Sequence, residues 1–153
     1  MNDILRDKIR DRSAWTADTL KNTDEWIVHL STPDIEELDA ALKASHPRGG
    51  SYELINREHF TMPHLAATAQ GWINEIEHGR GFVVIRGLPV ERYDEASLYA
   101  LYWGLGCHFG DAIVQNYEGR RINEVRSRGH SYEEVNIRAY ATASHLGFHN
   151  DPS

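Results

Sequence analysis

The stretch Gly81-Phe-Val-Val-Ile-Arg86 has the pattern of a β-strand and separates two segments of helical periodicity. Glycines bound it, and its β-branched residues are typical of a buried strand. Gly87-Leu-Pro89 then turns the chain. The pattern therefore predicts one strand near residues 81–86, and the segments on either side of it carry helical periodicity instead.

Two helices are predicted before this strand. The first begins at Thr32, read as its cap, and stops near Ser45. The second runs from about Pro63 to His78. The residues predicted to be buried are Ile35, Leu38 and Leu42 in the first helix, and Leu65, Ala69, Trp72, Ile73 and Ile76 in the second. Residues 1–30 are polar with isolated apolar anchors, which predicts a helix-containing segment wrapped on the domain.

A third helix is predicted from about Asp94, and glycines at 104, 106 and 110 break its pattern. Its predicted inner face consists of Leu98, Leu101, Tyr102 and Leu105. Beyond Gly110, short apolar runs alternate with turn residues, which predicts strands at 112–116, 122–126, 137–142 and 144–151. The predicted fold class is α+β, with helices first and an all-β portion after them.

The composition limits the classes of function. With 153 residues, 41% hydrophobic and 25% charged, the chain is typical of one globular domain. Its net charge of -7 argues against nucleic-acid binding, and no apolar run reaches the ~20 residues of a membrane span. Cys107 is the single cysteine and lies in an apolar stretch, which favours a small core residue. A reducing compartment, and hence a cytoplasmic protein, is the expectation.

The end of the chain carries the most chemistry. Residues 142–151 read Thr-Ala-Ser-His-Leu-Gly-Phe-His-Asn-Asp. If this segment is a strand, His145, His149 and Asp151 lie on one face, and the intervening Gly147 leaves space above the sheet. Leu146 and Phe148 would then enter a core layer from the other face.

The pair His149-x-Asp151 suits a metal ion. On a strand the two residues are roughly 7 Å apart at the backbone, so both side chains can converge on one ion. With a second His from a distant strand they would form the two-His-one-carboxylate triad of non-haem Fe(II) sites. Two alternatives stay open. The pair can be a solvated strand end, or His145 and His149 can bind zinc from adjacent turns of a helix.

The chain resembles the N-terminal part of the TauD/TfdA-type Fe(II)- and 2-oxoglutarate-dependent dioxygenases. The resemblance extends from about Trp15 to the last residue, and it is specific only in combination. The segments that carry it are Gly79-Arg-Gly-Phe-Val-Val-Ile-Arg-Gly-Leu-Pro89, Tyr102-Trp-Gly-Leu-Gly106, Phe109-Gly110, Gln115-Asn116, Gly119, Arg138-x-Tyr140-x-Thr142 and Leu146-Gly-Phe-His149-Asn-Asp151. Asn150 departs from the pattern, because many relatives have Thr there.

The resemblance implies a single domain over 1–153, helix-rich to about 110. The first strands of an incomplete double-stranded β-helix, or jelly-roll, would occupy 111–153. It implies Fe(II), with His149 and Asp151 as ligands, and 2-oxoglutarate and O2 as co-substrates for hydroxylation of a small molecule. Gln115 and His145 match positions where relatives contact substrate. For Gln115 an alternative is a bond to a neighbouring loop.

The resemblance also implies residues that this sequence lacks. The family's second iron-binding His and its 2-oxoglutarate-binding Arg lie further along, and no residue here matches them. The chain alone is therefore expected to be inactive. A gene fragment, a truncated enzyme and one half of a split enzyme completed by a C-terminal chain are the explanations considered. A non-catalytic interaction module is the alternative function.

Overall fold

The computed structural model describes residues 7–45 and 50–125. The predicted strands at 137–142 and 144–151 lie outside these ranges, as do His145, His149 and Asp151. The chain divides into two compact units, residues 1–111 and 112–153.

The described part of the first unit is mixed α and β. Its elements in order are α1 (Ala17–Leu20), β1 (Ile27–His29), α2 (Thr32–Ser45), a 3-10 turn (Tyr52–Leu54), α3 (Pro63–His78), β2 (Val84–Arg86), a second 3-10 turn (Val90–Arg92) and α4 (Glu95–Gly106). The three predicted helices are confirmed as α2, α3 and α4. Across the ranges that the structure describes, no helix is long and apolar enough to cross a membrane.

The two strands form a small parallel sheet. Ile27 lies opposite Val84, and the Leu30 amide extends the pairing by donating to the Arg86 carbonyl at 2.8 Å. The predicted strand at 81–86 is shorter in the structure, and its residues are half-buried or exposed rather than buried. The prediction of only one strand before about residue 110 was wrong. The second strand, β1, was missed because its three residues are too few to show a strand period.

The start of α2 differs by one residue from the prediction. Thr32 was predicted to be the capping residue, but it is already helical. Ser31 occupies the capping position instead. The backbone N–H and hydroxyl of Ser31 donate to Asp34 Oδ2 at 2.7 and 2.6 Å, and the Ser31 carbonyl accepts from Ile35. The hydroxyl bond and then the backbone bond from Ser31 lower the pKa of the Asp34 carboxyl.

The first turn of α3 is capped from α2. Met62 precedes the helix and makes no side-chain cap. The carboxylate of Glu37 in α2 accepts from the backbone N–H of His64 at 2.9 Å and of Leu65 at 2.8 Å. A carboxylate at a helix N-terminus satisfies free N–H groups and complements the helix dipole. Glu37 therefore fixes the docking of α3 on α2.

Three helices and the segment before α3 enclose the core. Its buried residues are Ile35, Leu38, Ala41, Ile55, Phe60, Met62, Leu65, Ala69, Trp72, Ala100 and Leu101. Phe60 is fully buried, and a Cβ added at Gly104 of α4 would lie 2.2 Å from its ring. Gly104 was predicted to break the helix. It instead lies inside α4, which ends at Gly106. A glycine is needed at position 104 because the Phe60 ring occupies the space that a side chain would fill.

Two residues predicted to face the core are exposed. Ile76 is 40% exposed, because the buried face of α3 ends at Trp72. Tyr102 is 70% exposed. It follows the buried Leu101, and one residue turns an α-helix by about 100°. Tyr102 therefore projects away from the core.

The described residues of the second unit, 112–125, contain no strand. The strands predicted at 112–116 and 122–126 are thus not observed up to residue 125. Four large apolar side chains here are exposed, namely Ile113, Val114, Tyr117 and Val125, while Ile122 is half-buried. Short apolar runs between turn residues predicted strands, but residues 115–120 close into the turn described below. The described residues show helices with a two-stranded parallel sheet and no jelly-roll.

Candidate functional site

The predicted metal ligands His149 and Asp151, and the predicted pocket residue His145, lie beyond the described ranges. Within 7–45 and 50–125, no group of three or more His, Cys, Asp or Glu side chains could hold a metal ion. The described residues thus supply no competing metal centre, and the assignment of His149 and Asp151 stays a prediction.

Gln115, the predicted substrate-contacting residue, lies at the start of a closed turn. Its backbone N–H donates to the Arg120 carbonyl at 2.7 Å, and its side-chain amide donates to the Ile113 carbonyl at 3.3 Å. The residue is exposed. The backbone of Gln115 is therefore fixed, and its side chain is accessible to solvent. Its substrate role stays a prediction.

Asn116 closes this turn. Its side-chain oxygen accepts from the backbone N–H of Glu118 at 3.0 Å and of Arg120 at 3.1 Å. Gly119 has a φ of +80°, a conformation that L side chains rarely adopt. Asn and Gly are therefore required at these two positions by the turn itself. The sequence showed the Asn and Gly but not the bonds that join them.

Cys107 is not an activated nucleophile. Its thiol lies 3.7 Å from the Ile55 carbonyl, to which it donates. Burial raises its pKa, and the nearby charge of Asp111 adds to this effect. Reactive cysteines have a lowered pKa, since the thiolate is the nucleophile. Cys107 is half-buried and lies outside the buried core, whereas the sequence predicted a core residue.

His108 is a buried histidine that the sequence did not single out. It is 8% exposed, and its Nε2 lies 2.7 Å from the Phe60 carbonyl. That bond ties the end of α4 to the segment before α3. Nδ1 is buried and has no partner among the described residues. A single His in an apolar stretch gave no signal of this contact, because the carbonyl it meets is distant in sequence.

An open cleft of about 230 Å³ lies between the N-terminal segment and Arg80. Its lining residues are Asp11, Arg12, Ala14, Trp15, Thr19, Leu20, Thr23 and Arg80. The Trp15 indole N–H donates to the Arg80 carbonyl at 2.9 Å, and its ring meets Phe82 edge-on. The cleft is thus formed where residues 11–23 wrap the domain, as the sequence predicted for this segment.

The two arginines at this cleft are paired with carboxylates. Arg12 contacts Glu75 at 3.0 Å, while Arg80 contacts both Glu75, at 2.8 Å, and Glu25. Burial opposes ionisation of Glu75. Hydrogen bonds from Arg80 and the charge of Arg12 outweigh that effect and lower the pKa of its carboxyl. Both guanidinium groups therefore have carboxylate partners, which favours a structural clamp over an anion-binding site.

Comparison with known proteins connects this framework to one family. The family model described as "Taurine catabolism dioxygenase TauD, TfdA family" matches residues 41–153. FR-33289 synthase of Streptomyces rubellomurinus is 25% identical over 152 residues, covering 99% of this chain and 45% of that protein. The taurine hydroxylase-like protein SAT17 of Stachybotrys chartarum is 28% identical over 154 residues, covering 96% and 40% respectively.

The chain therefore spans less than half the length of these curated relatives. The family match covers most of it, from the C-terminal part of α2 through the predicted His149-x-Asp151 pair. This confirms the resemblance drawn from the sequence, and the chain belongs to the TauD/TfdA dioxygenase family.

Proposed function

We propose that the chain is the N-terminal portion of an Fe(II)- and 2-oxoglutarate-dependent dioxygenase that hydroxylates a small organic molecule. The observation that carries this proposal is the family match over residues 41–153, which includes the His149-x-Asp151 pair. The proposal includes a domain that spans the whole chain, and a jelly-roll that begins after residue 110.

The donor set fits the proposed metal. An imidazole nitrogen from His149 and a carboxylate oxygen from Asp151 are two of the three ligands of a facial triad. When bound, the iron would supply the oxidising chemistry, with O2 and 2-oxoglutarate as co-substrates and succinate as the co-product. The two side chains of this chain would hold the metal from one side and leave positions open.

Two further residues are proposed to contact the substrate. Gln115 is exposed on a turn whose backbone is closed by hydrogen bonds, so its amide could meet a polar group of a bound molecule. His145 is proposed from its register with His149. One relative is named as taurine hydroxylase-like, which makes taurine a reasonable first substrate to test.

Metal binding by the purified chain tests the ligands. We expect Fe(II) titrated without oxygen, or Co(II) in its place, to bind weakly, and His149→Ala or Asp151→Ala to abolish binding. His145→Ala and the exposed control His78→Ala should bind as the wild type does. Loss of binding in His145→Ala with retention in Asp151→Ala would instead support the zinc alternative.

Turnover tests the incomplete site. No residue here is assigned as the second iron-binding His or as the Arg for 2-oxoglutarate. We therefore expect the chain alone to release no succinate from 2-oxoglutarate, and a complementing C-terminal polypeptide to be required. Sustained succinate release by the purified chain would contradict this part of the proposal.

A further inference from the structure

Residues 11–23 form a surface segment of the first unit, which we call the strap. None of its residues is buried, and only Leu20 and Thr23 are half-buried. The strap is nevertheless folded locally, because the Asp11 carboxylate accepts from the Ser13 N–H and hydroxyl, and Thr16 caps α1. Segments that bury few apolar side chains open more easily than the core does. The strap can therefore detach from the domain without unfolding the core.

The beginning of the strap is attached through Arg12 and Trp15. The Arg12 guanidinium contacts both carboxylate oxygens of Glu75, each at 3.0 Å. The Trp15 indole N–H donates to the Arg80 carbonyl, and its ring meets the Phe82 ring with centroids 5.1 Å apart. The Arg12 side chain is 58% exposed and Trp15 is 46% exposed. Because the ion pair is accessible to water, dissolved salt can screen it.

Glu75 keeps other partners when Arg12 leaves. Its carboxylate also accepts from the backbone N–H of Arg80 at 3.1 Å and from Nη1 of the same residue at 2.8 Å. These two bonds involve no residue of the strap. Arg12, for its part, passes from a partly exposed position into water. Release of the strap therefore leaves no buried charge unpaired, and the large penalty for breaking a buried ion pair does not arise.

The end of the strap is fixed at Trp26. The Trp26 indole N–H donates to the Thr23 carbonyl at 2.7 Å, and the Trp26 carbonyl accepts from the Val84 N–H at 2.9 Å. The second bond continues the pairing of β1 with β2. Trp26 thus belongs to the sheet and holds the last residue of the strap. When the contacts at its beginning break, the strap turns about this fixed end.

We propose that the strap is a latch controlled by ionic strength. The pair of Arg12 with Glu75 holds it over Phe82 at low ionic strength, and screening of that pair releases it. Between about 0.01 and 1 M salt the Debye length falls from about 30 to 3 Å, which spans the range from weak to strong screening. The helical core stays folded, because screening does not weaken apolar burial. The latch does not depend on the proposed dioxygenase activity.

Fluorine NMR of the chain, produced with fluorinated tryptophan, tests the latch. The four tryptophans are Trp15, Trp26, Trp72 and Trp103, and each resonance is assigned by replacing that residue with Phe. We expect the wild-type Trp15 resonance to shift as the salt concentration rises, while that of the buried Trp72 keeps its position. Arg12→Gln should show at low salt the Trp15 position that the wild type reaches only at high salt, and should respond little to further salt.

The matched control is Lys21→Gln, which removes the same charge from the strap. Lys21 contacts Asp18 within the strap at 2.7 Å, so this variant should keep the wild-type salt response. The latch is overturned if the wild-type Trp15 resonance does not respond to salt, or if Arg12→Gln responds as the wild type does. It is also overturned if Trp15 and Trp72 shift together, since the change would then be unfolding of the core.

Discussion

Helices α3 and α4 contribute to the same core, but they differ in their outer sides and in how their N-termini are capped. The outer side of α3 carries polar residues such as Gln70 and Glu77, and its N-terminus is capped by Glu37 from α2. The N-terminus of α4 is capped by its own Asp94, and Tyr102 is the large apolar side chain exposed on its outer side. The difference shows that a helix in this core can be capped either by a residue of its own segment or by a side chain of a neighbouring helix.

The largest effect is expected when the glycines inside the two helices are replaced by alanine. The two substitutions differ in packing but share the same gain in helix propensity. Gly104→Ala in α4 places a methyl group against the Phe60 ring, where the distance to an ideal Cβ is 2.2 Å. We expect a loss of about 1–3 kcal/mol in the free energy of unfolding, as is usual for overpacking. Gly71→Ala in α3 has nothing within 4 Å of its Cβ and should gain roughly 0.5–1 kcal/mol.

Urea unfolding of both variants measures the contrast. Phe60→Ala removes the ring and is itself destabilising, by about 3–5 kcal/mol. In that background, Gly104→Ala should no longer be unfavourable, because the methyl group has space. If Gly104→Ala remains equally destabilising without the ring, the close contact with Phe60 is not the reason for the glycine.

The next largest effect on stability is expected at the N-terminus of α3, which is capped by Glu37 of α2. Glu37→Ala removes the acceptor for the His64 and Leu65 amides, so we expect a loss of about 0.5–2 kcal/mol by urea unfolding. The neighbouring exposed Glu36→Ala is the matched control and should change stability little. Asp94→Ala removes the cap of α4 and should have a similar effect to Glu37→Ala. Equal stabilities for the Glu36 and Glu37 variants would contradict the cap.

The smallest effect on stability is expected at Tyr93. This residue attaches the segment before α4 to α2. The Tyr93 hydroxyl donates to Asp39 Oδ1 at 2.7 Å, and Arg92 contacts the other oxygen at 3.0 Å. Burial, followed by the bond to Asp39, raises the pKa of Tyr93 from 10.0 to about 12. The folded state thus holds this proton more tightly than the unfolded state. Its stabilising contribution is complete below pH 10 and is lost as the pH rises towards 12.

Tyr93→Phe should therefore lower the free energy of unfolding by about 1 kcal/mol at pH 8. It should also remove part of the loss of stability above pH 10. Unfolding in urea at several alkaline pH values measures both effects. Tyr102→Phe, which alters an exposed hydroxyl, is the control and should keep the wild-type pH dependence.

The helices could be predicted from the sequence because their apolar residues repeat with a helical period. The bounds of α3 were predicted as Pro63 and His78, and the structure has the same bounds. The contacts that join elements could not be predicted in this way. Glu37 capping α3, and Phe60 requiring Gly104, depend on residues far apart in sequence. Tyr102 was misplaced because an apolar helix has no polar side to mark its outer face.

The candidate metal site stays a prediction, because its ligands lie outside the described residues. Strand alternation predicts that His145, His149 and Asp151 lie on one face, in a segment that falls within the family match over 41–153. Gln115 was chosen from the family resemblance and was predicted to lie on a strand, but the structure has a turn there, closed by Asn116. Side-chain amides that close turns compete with strand pairing, and the apolar pattern does not reveal that competition.

The parallel pairing of β1 with β2 has a consequence for the order of folding. Ile27 meets Val84 only after the chain has passed through α2 and α3, so the strands cannot zip from a hairpin turn. Closing such a loop costs entropy before the pairing offsets it. We therefore expect the helical core to form early and β1 to join late. Amide exchange during refolding should protect Leu65 before Leu30, which donates to Arg86 at the end of the sheet.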